Sequence, residues 1–152
     1  MSLDISVSTN GLRTGVSSAR IVDASRAALR AERVGDALVS ITLLGRAAMA
    51  KLNREHLGHR GATDVISFGF TRATEADPVV GDIYIAPEVA RENALSRGVP
   101  VREEIVRLVV HGTLHILGYE HPESVDAAER EASPMWKRQE RIVRRLVART
   151  RR

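Results

Sequence analysis

The chain has 152 residues, 43% hydrophobic and 28% charged, so one domain with a buried core fits better than two domains or a disordered chain. It has no cysteine, which excludes disulfides, thiolate metal sites and a cysteine nucleophile, and 3% aromatics leave base-stacking platforms scarce. The net charge of +4 is uneven: residues 137–152 hold eight basic residues and one acid, Glu140, while residues 1–136 hold 15 basic and 18 acidic ones.

In chain order, Leu3–Ser8 alternates apolar and polar residues and predicts a strand. Ser17–Arg33 carries apolar positions at helical spacing among arginines. Ala37–Leu44, rich in Val, Ile and Thr, predicts a second strand. Arg46–His56 predicts a helix and Gly58–Gly61 a loop. Val65–Phe70 and Val79–Ile85 predict a third and a fourth strand joined by a polar connection. Gly81 marks a bulge or a close approach in the last of these. Pro87 opens a helix to Arg97, and Gly98-Val-Pro100 ends it. A long helix starts near Val101 and stops at Gly118. A final helix starts near Pro122 or Glu123, is kinked at Pro134 and runs into the basic end.

The expectation is an α+β fold in a single domain over 1–152, with the basic end from about 137. One mixed four-stranded sheet packs against about five helices, with a central metal-binding helix. The second crossover is expected to be a parallel βαβ unit, and the third and fourth strands an antiparallel hairpin. Met1–Gly15 has no basic start followed by an apolar run, and no stretch of 18 apolar residues exists. A cytoplasmic protein without membrane contact is therefore expected.

The segment that carries chemistry is His111-Gly-Thr-Leu-His-Ile-Leu-Gly-Tyr-Glu-His121. His111 and His115 are four apart on a helix, which places both imidazoles on one face. Gly118 can take a left-handed cap conformation and turn the chain back, so that His121 reaches the same point. Three neutral imidazoles leave one coordination position open, the catalytic pattern for zinc. The same spacing occurs in zinc peptidases, which carry a general-base Glu directly after the first histidine. Here that position is Gly112, which cannot take a proton. Two acids can substitute as base: Glu120, which can instead orient a histidine or cap the turn, and Asp82 if the fourth strand runs near the metal helix, otherwise a surface residue or a partner of a ligand. Ser67 either faces the metal cleft or is the polar side of ordinary alternation. Thr63 and Asp64 can hold the preceding loop, whose Arg60, with Arg54 and His59, can meet phosphates.

The histidine segment resembles the signature of the YbeY family of bacterial rRNA maturation factors, HGxLHLxGYDH, with Glu120 in place of aspartate. Two further blocks are similar in the same order. Leu52-Asn53 with Ala62-Thr-Asp-Val-Ile-Ser-Phe68 matches LN…PTDVLSF, and Gly81-Asp-Ile83 matches LGDI. The resemblance runs from about Leu3 to Ile142. It implies a zinc-dependent, single-strand-specific endoribonuclease acting in 16S rRNA 3′-end maturation and ribosome quality control. One Zn2+ ion is then held by His111, His115 and His121. The family's strand serine and threonine fall on Ser67 and Thr63, and its acid on Asp82. Its arginine falls on Leu57, which cannot bind phosphate, so Arg54 or Arg60 is left to reach that space.

The implied catalytic set is therefore His111, His115, Ser67, Asp82 and Arg60. The implied partners are rRNA, precursors of the small ribosomal subunit and ribosomal proteins, without DNA or membrane. Two other readings remain: a zinc metallopeptidase using another base, and a non-catalytic, metal-stabilised rRNA-binding biogenesis factor.

Overall fold

The computed structural model describes residues 2–120 and 127–150. Strands β1 (Leu3–Ser8), β2 (Ala37–Leu43), β3 (Val65–Phe70) and β4 (Val79–Ile85) form one mixed sheet in the order β1-β2-β4-β3. β1 and β4 both run parallel to β2, and β3 is antiparallel to β4. The expected hairpin is present, but the second crossover differs from expectation. Helix α2 (Arg46–Leu57) leads from β2 to an antiparallel edge strand, and it is β4 that pairs with β2. The reason is burial. Val79, Gly81, Ile83 and Ile85 keep β4 buried on one face along the whole strand, which suits a central position, whereas β3 ends in exposed Gly69 and Phe70 and suits the edge.

One face of the sheet is covered by α1 (Ser18–Ala31) and α4 (Val101–Ile116), with α6 (Pro134–Thr150) packed on both helices. Helix α1 starts where the Ser17 side chain accepts from the Arg20 N–H, and its Ile21, Ala24, Ala28 and Leu29 enter the core. Helix α4 is apolar around most of its circumference because it is covered on most sides; Ile105, Val109, Val110 and Leu114 are fully buried. Each such side chain contributes about 1.5–3 kcal/mol by leaving water. Ser25 of α1 and Thr113 of α4 share a buried hydrogen bond of 2.9 Å, which fixes the register of the two helices.

The opposite face is thinly covered. Met49 of α2, Ile66 and Ala86 form a small second cluster there, while Leu38 and Phe70 stay 52% and 57% exposed. Helix α3 (Pro87–Arg97) begins at its proline and ends at Gly98, as the sequence predicts. The final helix is a correction: it is not one kinked rod. Helix α5 (Ala127–Glu131) stops, Ser133 accepts from the Trp136 N–H, and α6 starts afresh at Pro134. A proline has no N–H to give the preceding turn and suits the first position of a new helix, so six helices occur among the described residues. The predicted start near Pro122 or Glu123 lies outside them. The basic C-terminal stretch is therefore a packed helix over its described length.

Candidate metal centre

Three glycines let α4 lie close against β3 and β4. A Cβ at Gly112 would stand 2.9 Å from Ile83, and one at Gly69 would stand 3.0 Å from the Ile116 carbonyl oxygen. Gly81 likewise meets the Ile116 side chain, so it marks a close approach within an unbroken register and not a bulge. The position that bears the base in the zinc peptidases is thus pressed into the sheet, where only glycine fits.

His111 and His115 sit one turn apart on the half-buried side of α4, with ring centroids 4.6 Å apart and planes crossed at 80°. Each ring is held through Nδ1. The His115 Nδ1 lies 2.8 Å from the Tyr119 carbonyl oxygen. That oxygen only accepts, so the neutral ring carries its proton on Nδ1 and its lone pair on Nε2. The carbonyl is brought there by the turn after α4. Gly118 has φ +102°, and the Tyr119 N–H bonds back to the Leu114 carbonyl, the reversal predicted for this glycine.

The His111 Nδ1 lies 2.7 Å from Gln139 Oε1 on α6. Gln139 Nε2 donates to Glu140 Oε2 at 3.0 Å, and Arg107 holds both Glu140 oxygens, at 2.9 and 3.0 Å. Burial alone disfavours both charges of this pair. For Arg107 it is outweighed by the hydrogen bond and charge of Glu140, with Glu104 and Glu103 adding to them, and its pKa is raised. For Glu140 it is outweighed by hydrogen bonds from Arg107 and Gln139, and its pKa is lowered. Burial pushes the Glu104 carboxyl up against the pull of Arg97 and Arg107, and it pushes Asp64 up despite hydrogen bonds from backbone N–H groups, Thr63 and Asn93.

Asp64, Asn93, Arg97, Glu104 and Trp136 line a cavity of about 370 Å³ that reaches His111. Among the described residues no third metal-ligating group joins the two histidines. His121, the third expected ligand, lies outside them. The donor set present fits Zn2+: two imidazoles one turn apart on one helix face, each with its Nδ1 against a protein oxygen.

Ser67 lies on the α4 side of the sheet. It pairs with Ile83, which packs on Gly112, and is two residues from Gly69, which meets Ile116. Asp82 does not join it. β4 does run beneath α4, but alternation turns Asp82 to the other face, where the Ser40 hydroxyl donates to it at 2.5 Å. Arg60 is exposed in the loop before β3, four residues ahead of Asp64. That loop is anchored by Asn53, which is buried and donates to the Gly61 carbonyl at 2.9 Å. Leu57 ends α2 and is 46% exposed.

Sequence reasoning assigns Gln139 no part in the site, and Asn53 only a place in a family block with no role. The sequence signal for Gln139 is its place between Met135 and Ile142–Val143 on the apolar stripe of α6, where a polar side chain needs a buried partner. Asn53 carries the same kind of signal, one turn after the buried Met49 on α2.

A family model described as endoribonuclease YbeY matches residues 7–147. The endoribonuclease YbeY of Persephonella marina is 38% identical over 109 residues, 68% of this chain and 67% of that one. That of Desulfitobacterium hafniense is 40% identical over 99 residues, 60% of this chain and 63% of the relative. That of Bacillus licheniformis is 37% identical over 124 residues, 75% of each. The matches thus span from under two thirds to three quarters of these relatives' own length. The solution structure of TM1509 from Thermotoga maritima shares the fold, with a TM-score of 0.60 at 22% identity over 97% of this chain and 91% of that one.

Proposed function

The chain belongs to the endoribonuclease YbeY family, and from that premise we propose that it is a zinc-dependent, single-strand-specific endoribonuclease acting in 16S rRNA 3′-end maturation and ribosome quality control. Its partners are rRNA within precursors of the small ribosomal subunit and ribosomal proteins, and its compartment is the cytoplasm. No helix among the described residues is long and apolar enough to cross a membrane.

The observation that carries this reading is the imidazole pair of α4, one turn apart with each Nδ1 against a protein oxygen. His111 and His115 hold one Zn2+ ion together with His121, which follows Gly118 by three residues. When bound, the ion supplies Lewis acidity to a phosphate oxygen and to water. Ser67, on the α4 side of the sheet, contributes a hydroxyl toward the reacting phosphate. Arg60, on the loop anchored by Asn53, holds a phosphate on the approach to the cleft. Asp82 has no part in this arrangement, because it serves the far face of the sheet.

The test is cleavage of single-stranded rRNA by the wild-type chain, by chelated chain with and without returned zinc, and by His115→Ala. The expected result is loss of cleavage on chelation, recovery with zinc and none with His115→Ala. A His115→Ala protein as active as wild type overturns the proposal. Wild-type protein that binds rRNA with zinc present and leaves it intact replaces it with the binding-factor reading.

A further inference from the structure

The two histidines are oriented by different kinds of group. His115 is held by a main-chain carbonyl that the helix-ending turn supplies. His111 is held by a side chain from another helix, 28 residues further along. Gln139 is 1% exposed, so its amide must be fully satisfied by protein. It has one good solution. Glu140 beside it is ionised and clamped by Arg107, so the NH2 group of Gln139 must face Glu140, at 3.0 Å. Flipping the amide would set its oxygen against a carboxylate oxygen. The Gln139 oxygen is thereby left toward His111, where it only accepts. Arg107 itself starts from α4, one turn before His111, and also contacts Glu103 and Glu104 at 3.4 and 3.3 Å. The chain of contacts therefore runs from α4 out to α6 and back to α4.

We propose that Gln139, fixed by the Arg107–Glu140 pair, is a positioning residue that holds His111 in the Nδ1–H tautomer and so presents its Nε2 to the metal. The proposal rests on the metal-dependent reading above. An imidazole free to choose its tautomer spends part of its time with the proton on the nitrogen that must ligate. Losing the outer partner of a ligating histidine typically weakens metal binding about 10–100-fold. The basic terminal helix thereby acquires a role at the site that its charge does not reveal.

The direct test is a long-range 1H–15N correlation spectrum of the metal-free full chain at mildly alkaline pH, which reads each histidine's tautomer. Wild type is expected to show Nδ1–H at both His111 and His115. Gln139→Met keeps the length and removes the acceptor. It should release His111 to the other tautomer, leave His115 unchanged and weaken Zn2+ binding about 10–100-fold in competition with a chromophoric chelator. Gln139→Glu keeps an acceptor for Nδ1 but sets an oxygen beside the Glu140 carboxylate, so it should keep His111 in the Nδ1–H tautomer while melting lower than wild type. A purely structural Gln139 would lower the melting temperature in the Met variant and move neither tautomer nor zinc affinity, and that result overturns the proposal. So does a wild-type His111 with its proton on Nε2, which is measurable even if the Met variant does not fold. Wild-type protein with the expected tautomers that takes up no zinc overturns the metal reading and not the tautomer assignment.

Discussion

Ser67 and Asp82 are near neighbours on the β3–β4 ladder, since Asp82 pairs with Phe68, yet their side chains leave opposite faces of the sheet. On the Ser67 side, Gly69, Gly81 and Gly112 bring α4 into close contact with the sheet. On the Asp82 side the sheet is half open, and a carboxylate there finds a hydroxyl on the next strand and nothing from α4. Two residues of the same family signature thus serve different tasks: one faces the helix that carries the histidines, the other ties β4 to β2. The lesson is that strand alternation decides which polar residues face the histidine helix, and the glycines set how closely that helix approaches.

The hardest way to break this difference is to push α4 off the sheet. Gly112→Glu restores the residue of the zinc peptidases but places a Cβ 2.9 Å from Ile83 and a charge against the core. It is expected to cost about 3 kcal/mol or more, read as a lowered urea midpoint. A folded Gly112→Glu protein that cleaves casein in a zinc-dependent way would reverse the argument. Gly69→Ala, against the Ile116 carbonyl, is expected to cost about 1–3 kcal/mol by the same crowding.

Leu57→Arg sharpens the picture from the rim. It returns a phosphate-binding group to the end of α2, at a residue that is 46% exposed and belongs to neither hydrophobic cluster. Cleavage of single-stranded rRNA should rise by roughly tenfold or more, within the range of one well-placed charge. An unchanged rate would show that Arg54 or Arg60 already fills that place. Asp82→Asn, on the far face, should leave cleavage unchanged and cost about 1 kcal/mol through the weakened bond from Ser40. Loss of cleavage at unchanged zinc content would bring Asp82 back into the site.

Periodicity made the elements legible: β1, β3, β4 and α3 occupy the residues that alternation and the Pro87–Gly98 punctuation predict. It could not say that β4 pairs with β2, because strand order depends on which strand stays buried along its whole length. The histidine pair was legible because both rings lie within one helix turn. The face of Asp82 was not, since alternation fixes which residues share a face but not which face meets α4. Gln139 escaped for the opposite reason: its partner is 28 residues away, and only the packing of α6 on α4 joins them.

The smallest expected effect concerns Asp64, which lies on the cavity that reaches His111. Burial holds its carboxyl above the ordinary value of 3.8, against hydrogen bonds from backbone N–H groups, Thr63 and Asn93. The nearby Glu104 is also raised, mainly by burial and in part by the charge of Asp64, while Arg97 and Arg107 pull it down. A folded pKa above the unfolded one means that the folded chain keeps a proton the unfolded chain has released. Stability is then lost as pH rises from about 3.8 to the higher folded value. Asp64→Asn removes that loss and relieves Glu104 as well. At neutral pH the variant should therefore melt higher than wild type, read by thermal denaturation. Below pH 3.8 the carboxyl is protonated in both states and the two melting curves should converge. A gap that persists there would assign the gain to packing around Asn93, and a variant that melts lower at neutral pH would mean that the charge of Asp64 stabilises the loop before β3.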